Sequence, residues 1–387
     1  MAMSFEVLHN SVNINAAVEY SINMNYGRQD PTQVCSPMTA AIRIIYPGSG
    51  LDPSDFQLGD TINIRQLNTG QATISMFQGT ITNMVADHET IRIQAISKWL
   101  GSLARTFIDM PAYTNTNLQT VGQAALTAAV AAGAPIGASW TVNPKLYNVT
   151  VPAQTKVSAL AYLQSLESSE PNGIVREYPA GFVSFAGYNQ RRVSTMAASQ
   201  KFLWSAKTSW SYEWTLEKNA ADFRNLASAT YVSGTSSYSD SASITARGQF
   251  AQSTSTYLVN ADDATFIATR NVQHGLNPGW RTTGLSIRFD KFTDLERYQV
   301  CDQMRTGSYI ETPVLSPAVG NQFFVEGWSD AIAYNSGTNV SQWVRTLFIS
   351  DITSSQSAQR YIDVTSGVTY ATVNPTYRWI DLNQYAI

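Results

Sequence analysis

Apolar and polar residues alternate along the first hundred positions. Ile62/Ile64, Ile74/Met76 and Ile91/Ile93 recur with period two, and turn-rich breaks interrupt them at Tyr46-Pro47-Gly48-Ser49-Gly50 and Ala86-Asp87-His88-Glu89. Such alternation puts one face of each segment into a core and leaves the other in solvent. Residues 1–105 are therefore expected to form a small antiparallel β-barrel or sandwich, closed by a short helical exit over 97–103. From 106 to 192 the period changes. Leu118, Val121, Ala125 and Ala129 hold helical spacing, as do Val157, Leu160, Leu163 and Leu166, and 173–185 reads as two short strands around a Pro/Gly turn. That combination predicts a small α+β insert.

Strands return beyond Arg192, where 210–216 alternates aromatic with polar residues. The Ser- and Thr-rich stretch 233–243 reads as a loop leading into a second α+β insert over 241–304. That insert ends in a helix opened by the capping box Thr293-Asp294-Leu295-Glu296, with Leu295, Tyr298, Cys301 and Met304 as its apolar face and Gly307 as its C-cap. A second barrel is then split, 193–240 with 305–355, and 356–387 is a polar C-terminal extension, irregular until Tyr377-Arg378-Trp379-Ile380. The fold class expected is mainly β with α+β inserts, two tandem barrels each carrying a small α+β domain.

A repeat supports that division. Gly59-Asp60-Thr61-Ile62-Asn63-Ile64, Met76-Phe77-Gln78-Gly79-Thr80-Ile81 and Thr90–Ile96 are matched by Gly307-Ser308-Tyr309-Ile310, Phe324-Val325-Glu326-Gly327-Trp328-Ser329 and Gln342–Ile349. The same spacing separates Gly59 from Gly79 and Gly307 from Gly327, which predicts two homologous modules with Gly79 and Gly327 at corresponding positions. A duplicated module presents two near-equivalent surfaces per subunit, which suits a ring component.

Composition adds a second hint. Charged residues make up 14% of the chain, against roughly 25% in an ordinary soluble protein. Neutral polar surface is cheaper to desolvate than charged surface, so extensive subunit contacts are expected. A net charge of −3 with no basic run longer than Arg191-Arg192 argues against a general nucleic-acid binder. The N-terminus lacks the features of a signal peptide, and the alanine-rich run 124–132 is too short to span a bilayer, so no membrane insertion is expected.

The search for chemistry returns nothing specific. His9, His88 and His274 fall in no metal-binding spacing, and His88 beside Asp87 and Glu89 reads as a solvated turn. Cys35 and Cys301 match no metal or redox spacing and read as small buried residues. Gly48-Ser49-Gly50-Leu51-Asp52-Pro53 lacks the last glycine of a dinucleotide loop, and its proline marks a turn. Glu167/Glu170 and Glu213/Glu217 are the carboxylates a glycosidase could use, though solvated surface charge is the expected role. No catalytic, cofactor-binding or metal residue is assigned, no cofactor is expected, and the protein is not expected to be an enzyme. The nine Trp and nineteen Tyr sit mostly in strand alternations, which suits core and subunit interface better than single-strand binding.

Gly59–Ile64 followed by 77–84, the insert residues Ser158-Ala159-Leu160-Ala161-Tyr162-Leu163 with the hairpin ending at Phe185, and the later Val325-Glu326-Gly327-Trp328 together give the chain a likeness. It resembles the tail hub proteins of bacteriophages, which include contractile-tail baseplate hubs and minor tail proteins of long non-contractile tails. The resemblance implies a homotrimer whose six barrels make a pseudo-sixfold ring, adapting a sixfold tail tube to a threefold tip and passing tape measure and DNA into the host. Implied partners are a distal tail protein, the tape measure protein and other tail-tip proteins; the implied location is the virion tail tip. DNA would pass without specific binding, so the bore should carry acidic and neutral residues, not a basic belt. With the chain ending at Ile387, receptor binding and wall digestion are expected of other tail proteins. The alternatives are a sixfold distal tail protein, against which the second barrel counts, and a tail-tip cell-wall hydrolase.

Overall fold

Alternating strands dominate the chain and join into one large sheet. A computed structural model describes residues 4–15, 18–29, 33–67, 72–142, 147–170, 173–179, 181–187, 197–204, 212–217, 223–276, 281–289, 292–316, 320–335 and 338–351. The first part holds β1 (Ser4–His9), β2 (Val12–Asn13), β3 (Val18–Gly27), β4 (Ser36–Ile45), β5 (Thr61–Leu67), β6 (Ile74–Ala86), β7 (Thr90–Ser97) and the exit helix α1 (Leu100–Arg105). Its alternating isoleucines, among them Ile42, Ile44, Ile62, Ile64, Ile91 and Ile93, are all buried in one core. Each such side chain contributes about 1.5–3 kcal/mol by leaving water.

The first insert comprises β8 (Phe107–Met110), β9 (Tyr113–Asn117), α2 (Leu118–Ala131), β10 (Trp140–Val142), β11 (Asn148–Val151), β12 (Gln154–Ser158), α3 (Ala159–Glu167), β13 (Ile174–Tyr178) and β14 (Phe182–Ala186). Asn117 caps α2 by accepting the amide of Gln119 at 2.9 Å, and Ser158 caps α3 through Ala161 at 3.3 Å. Leu118, Val121, Ala125 and Ala129 meet Leu160, Leu163 and Leu166 in a core of their own. Val157, expected on the helix, lies in β12 instead, because Ser158 is the cap and the helix starts at Ala159.

Next come β15 (Lys201–Leu203) and β16 (Tyr212–Glu217), then β17 (Leu226–Tyr231), β18 (Gly234–Ser239), α4 (Ser241–Arg247), β19 (Ala251–Thr254) and α5 (Ala261–Gly275). The chain continues through β20 (Arg281–Arg288), α6 (Asp294–Gln303), β21 (Tyr309–Ser316), β22 (Gly320–Asn335) and β23 (Thr338–Asp351). The stretch 233–243, expected as a loop, holds β18 and the start of α4. β18 is polar because most of its side chains face solvent, while its backbone pairs with β17.

The second insert differs from its expected bounds of 241–304. β17, β18 and β19 form a separate sheet, covered by α5 around Ala227, Ala229, Leu258, Ala264 and Ala268. β20 instead pairs with β16 and β23 in the main sheet, and α6 places Val300, Cys301 and Met304 in the main core. The capping box of α6 is formed as expected, with Thr293 and Glu296 exchanging backbone bonds. Its buried face is Arg297, Val300, Cys301 and Met304, while Leu295 lies 51% exposed. Gly307 does not cap the helix, which ends at Met304; its φ of +89° turns the chain into β21. Residues 356–387 lie outside the described residues.

The main sheet has thirteen strands in the order β16-β20-β23-β22-β3-β4-β7-β6-β5-β1-β2, with β21 pairing β22 and β15 pairing β21. Both sequence modules belong to it, and they are built alike. Gly59 N donates to Ile81 O at 2.9 Å and Ile81 N to Asp60 O at 2.9 Å; Gly307 N donates to Val325 O at 2.6 Å and Val325 N to Ser308 O at 2.8 Å. Thr61 then faces Thr80 as Tyr309 faces Phe324. A β-bulge follows at the same step, at Thr82 in β6 and at Glu326 in β22. Ile42 faces Ile93 as Leu285 faces Leu347, and β3 flanks β4 as β16 flanks β20.

Five strands of one half therefore have counterparts in the other. The shared register also corrects the glycine alignment: Gly79 is the counterpart of Phe323, and Gly327 that of Asn83, because the β5–β6 hairpin is longer than the β21–β22 hairpin. The two glycines answer different needs. A Cβ on Gly79 would stand 2.1 Å from the carbonyl oxygen of Ile96 in its own half, whereas one on Gly327 would strike β3 of the other half.

Candidate assembly interface

The two halves share one hydrophobic core, in which Phe5 stands edge-on to Trp343, and they also meet along an edge-to-edge joint. The end of β22 beyond its bulge pairs antiparallel with β3, from Gly327 opposite Gly27 to Tyr334 opposite Tyr20. The first pair needs glycine on both sides. Gly27 has a φ of +77°, and a Cβ there would stand 2.6 Å from Glu326 O, while one on Gly327 would stand 2.3 Å from Tyr26 O. Beside them Trp328 stacks on Tyr26 with ring centroids 4.0 Å apart.

A buried ion pair locks the joint. Arg28 Nε donates to Glu326 Oε2 at 2.8 Å, with side chains 5% and 0% exposed, and Ser350 Oγ donates to the other carboxylate oxygen. Burial pulls the Arg28 guanidinium down, yet the facing Glu326 outweighs it and leaves the group above its ordinary range. Loss of either partner would leave an uncompensated buried charge.

The first insert pins the joint from the side. Glu177 of β13 accepts the backbone N–H of Leu100 at 3.0 Å and that of Met38, so one carboxylate satisfies donors from two places in the first half. Burial pushes this carboxyl up, opposed by hydrogen bonds from Ser97, Met38 and Leu100. Tyr26 of β3 donates its hydroxyl to the Glu177 carbonyl, and Arg176 donates to the carbonyl of Thr306, ahead of β21. Arg305 lies over the Tyr178 ring at 4.5 Å. A cleft of about 220 Å³ opens here, lined by Tyr26, Arg28, Gln33, Ser36 and Phe348 among others. It is smaller than the roughly 300–1,000 Å³ of typical small-molecule sites.

Among the described residues, one strand edge that corresponds to the joint has no partner. β6 pairs with β5 only up to Thr80 and with β7 up to Ala86, so among the described residues nothing pairs with the outer edge of 82–86. In β22 the corresponding edge is the one that β3 occupies. Asp87 N donates to Thr90 O at the hairpin end, so by antiparallel alternation Val85 and Asn83 bond β7, and Met84 and Ala86 turn their backbone groups outward. Val85 is 58% exposed. At the far end of the sheet β16 pairs with β20 alone among the described strands, with Glu213, Trp214 and Thr215 exposed.

The chemical candidates lie scattered. His9, the last residue of β1, is buried against Phe56 and meets Asp60, in the turn before β5, at 2.9 Å. His88 is an exposed turn residue 3.5 Å from Glu89. His274 belongs to α5, its side chain outside the described residues. Cys35 and Cys301 are free, buried thiols, each pushed up to about 12 by burial. Pro53 opens a short turn capped by Asp52, as the proline predicts. Glu213 is exposed and Glu217 half-buried, whereas Glu167 and Glu170, expected in solvent, are buried. Glu167 is drawn inward because its carboxylate accepts the N–H of Val175 where β13 begins. Among the described residues no three His, Cys, Asp or Glu side chains group as metal ligands, and no helix is long and apolar enough to cross a membrane.

Sequence reasoning missed Gly27, Arg28, Glu177 and Glu326. The available signal was the pairing of a charge with a glycine inside or beside a strand, Gly27-Arg28 and Glu326-Gly327, where close backbone approach coincides with a buried charge.

No family model and no curated protein matches the sequence. Solved structures do match the fold. The 43 kDa tail protein of prophage MuSo2 from Shewanella oneidensis aligns with a TM-score of 0.59 at 9% identity, over 91% of this chain and 98% of that one. A tail protein from Neisseria meningitidis MC58 aligns with a TM-score of 0.58 at 12% identity, over 90% of this chain and 96% of that one. The chain is thus similar in fold, nearly end to end, to phage tail proteins.

Proposed function

We propose that this protein is a structural component of a phage tail, a hub ring at the tail tip. The observation that carries the reading is the internal repeat. Two five-strand units with a common register and a common bulge are joined head to tail in one sheet, and a head-to-tail contact repeated between chains closes into a ring or runs on as a filament. Each half then serves as one hub barrel, and three copies place six such units around a bore. That arrangement adapts a sixfold tube to a threefold tip and leaves a conduit for tape measure and DNA. The distal tail protein and the tape measure protein are its neighbours in this reading, and its function is non-enzymatic. The low charge content supports large subunit contacts, of about 2,000 Å² or more. DNA passage asks for a bore without a Lys/Arg belt.

Native mass measurement of the purified chain, with negative-stain imaging of the particles, tests the proposal. A closed ring of three copies is expected. A chain that stays monomeric at the concentrations of tail assembly, or degradation of purified peptidoglycan by the protein, would overturn it.

A further inference from the structure

We propose that the outer edge of β8, residues 107–109, receives an extended strand of a different protein, antiparallel, with a lysine or arginine opposite Asp109 and apolar residues opposite Ile108 and Phe107. The site belongs to the first insert and does not depend on the ring. Where the partner is sought, in the tail, rests on the tail reading above.

The first insert holds a repeat of its own. Ile108-Asp109-Met110-Pro111-Ala112-Tyr113-Thr114-Asn115 is matched by Val149-Thr150-Val151-Pro152-Ala153-Gln154-Thr155-Lys156, and each leads into a helix, capped by Asn117 and by Ser158. The two units exchange strands, β8 pairing with β12 and β11 with β9. Their bonds correspond. Leu118 N donates to Tyr147 O as Ala159 N donates to Thr106 O, both at 2.9 Å. Asn115 N donates to Thr150 Oγ1 at 3.1 Å as Lys156 N donates to Asp109 Oδ1 at 2.7 Å, and both donors have positive φ, +47° and +51°.

The outer edges of β8 and β11 are therefore counterparts, and the filled one shows what the other fits. On β11, Leu258 of the second insert faces Val149, with Thr150 N donating to Tyr257 O at 2.8 Å and Val259 N to Asn148 O at 3.2 Å. The corresponding groups on β8 are Asp109 N and Phe107 O. Thr106 O is turned towards Ala159 beside β12, so by antiparallel alternation Phe107 and Asp109 turn their backbone groups the other way. Residues 72–142 are described without a break, and among the described strands β8 pairs with β12 alone.

Side chains choose the occupant. Phe107 is 62% exposed, and Asp109 is an exposed carboxylate with no ion pair among the described residues. In the register of Tyr257–Val259 the residue facing Asp109 comes first, then the one facing Ile108, then the one facing Phe107. A strand ordered basic, apolar, apolar meets the charge with its opposite and covers the phenyl ring. The segment of this chain with the fitting form, Tyr257–Val259, is already seated on β11, which leaves the β8 edge to another protein.

The probe is a fluorescent synthetic peptide of residues 253–261 carrying Tyr257→Lys, titrated into the full chain by anisotropy. It should bind the native chain about threefold more tightly than the Asp109→Asn variant, whose side-chain oxygen can still accept Lys156 N. The peptide that keeps Tyr257 should bind both alike. Methylation of the peptide's Val259 nitrogen, which removes the donor to Phe107 O, should weaken binding about tenfold. No binding, no effect of the methyl group, or no loss in Asp109→Asn overturns the proposal and leaves the tail reading untouched. Hydrogen exchange of the Asp109 amide identifies the occupant. Fast exchange in the purified full chain with protection in whole tails supports a different protein. Protection in the purified chain assigns the edge to this chain itself, and fast exchange in whole tails leaves the edge empty; either overturns the proposal.

Discussion

The two halves of the sheet use the same ladder and fill it differently. Counting from the shared bulge, Ala86 facing Ile91 in the first half corresponds to Asp330 facing Arg345 in the second. The first position is apolar, with Ile91 buried among other isoleucines. The second is a buried ion pair: Arg345 Nε and Nη2 each donate to Asp330 at 2.7 Å, Trp343 Nε1 donates to the same carboxylate at 2.7 Å, and both charged side chains are 2% exposed. The rings of Trp328, Phe289 and Trp343 stand 4.8, 5.2 and 5.5 Å from the guanidinium. Burial pulls Arg345 down, Asp330 more than offsets it, and the group stays charged. A backbone ladder does not dictate the chemistry of its core. A buried pair bonded through Nε and Nη2 and an aliphatic contact fit the same register.

The largest expected effect breaks that contrast directly. Asp330→Ala should cost about 3–5 kcal/mol in urea unfolding, because it strands a buried guanidinium. Adding Arg345→Ile, which copies the first half, should recover most of the loss; a double variant no more stable than the single one would show that the halves do not share a packing scheme. Next is Glu177, which ties the first insert to the first half. Glu177→Ala leaves the amides of Met38 and Leu100 without their acceptor, at roughly 1–3 kcal/mol for each. The native carboxyl sits above its unfolded value of 4.5, so the folded state holds its proton more tightly. Its contribution is therefore fully present below that pH and is lost as pH rises through the folded pKa; the variant should lack this component of the stability profile.

Gly327→Ala should cost about 1–3 kcal/mol by pushing β22 off β3, whereas Asn83→Ala at the corresponding position of β6 should stay within about 0.5 kcal/mol. Equal costs would mean that the joint is not what demands the glycine. The smallest effect concerns the β6–β7 hairpin. Asp87 is held near a pKa of about 2 by hydrogen bonds from Glu89, Thr90 N and the Thr90 hydroxyl. Its contribution is present above its unfolded value of 3.8 and lost as pH falls towards 2, so NMR titration of Asp87 should follow the loosening of this hairpin below pH 4.

Much of the architecture was legible from periodicity. The isoleucine alternation gave β5, β6 and β7, the i, i+3, i+4 pattern gave α2, and the capping box located α6, because these signals act over one or two turns of chain. What failed depended on distant partners. β20 and α6 read as part of an insert, since nothing local tells Leu285 that it will face Leu347. The stretch 234–239 read as a loop, since its strand conformation comes from pairing with β17 and not from apolar alternation. The glycine spacing suggested a repeat, and the repeat is present, but only the paired backbone corrected the alignment of Gly79 and Gly327.

By itself, then, the sequence determined a β-rich chain with a repeated module, an α+β insert built on two helices and no recognisable reactive centre, because each of these follows from residue type at short range. Only the tertiary structure decided that both modules lie in one sheet, that Arg28 and Glu326 lock their joint, and that Glu177 ties the first insert to it. Those are contacts between residues as much as 298 positions apart, and their energy comes from burial and hydrogen bonding that exist only once the sheet has closed.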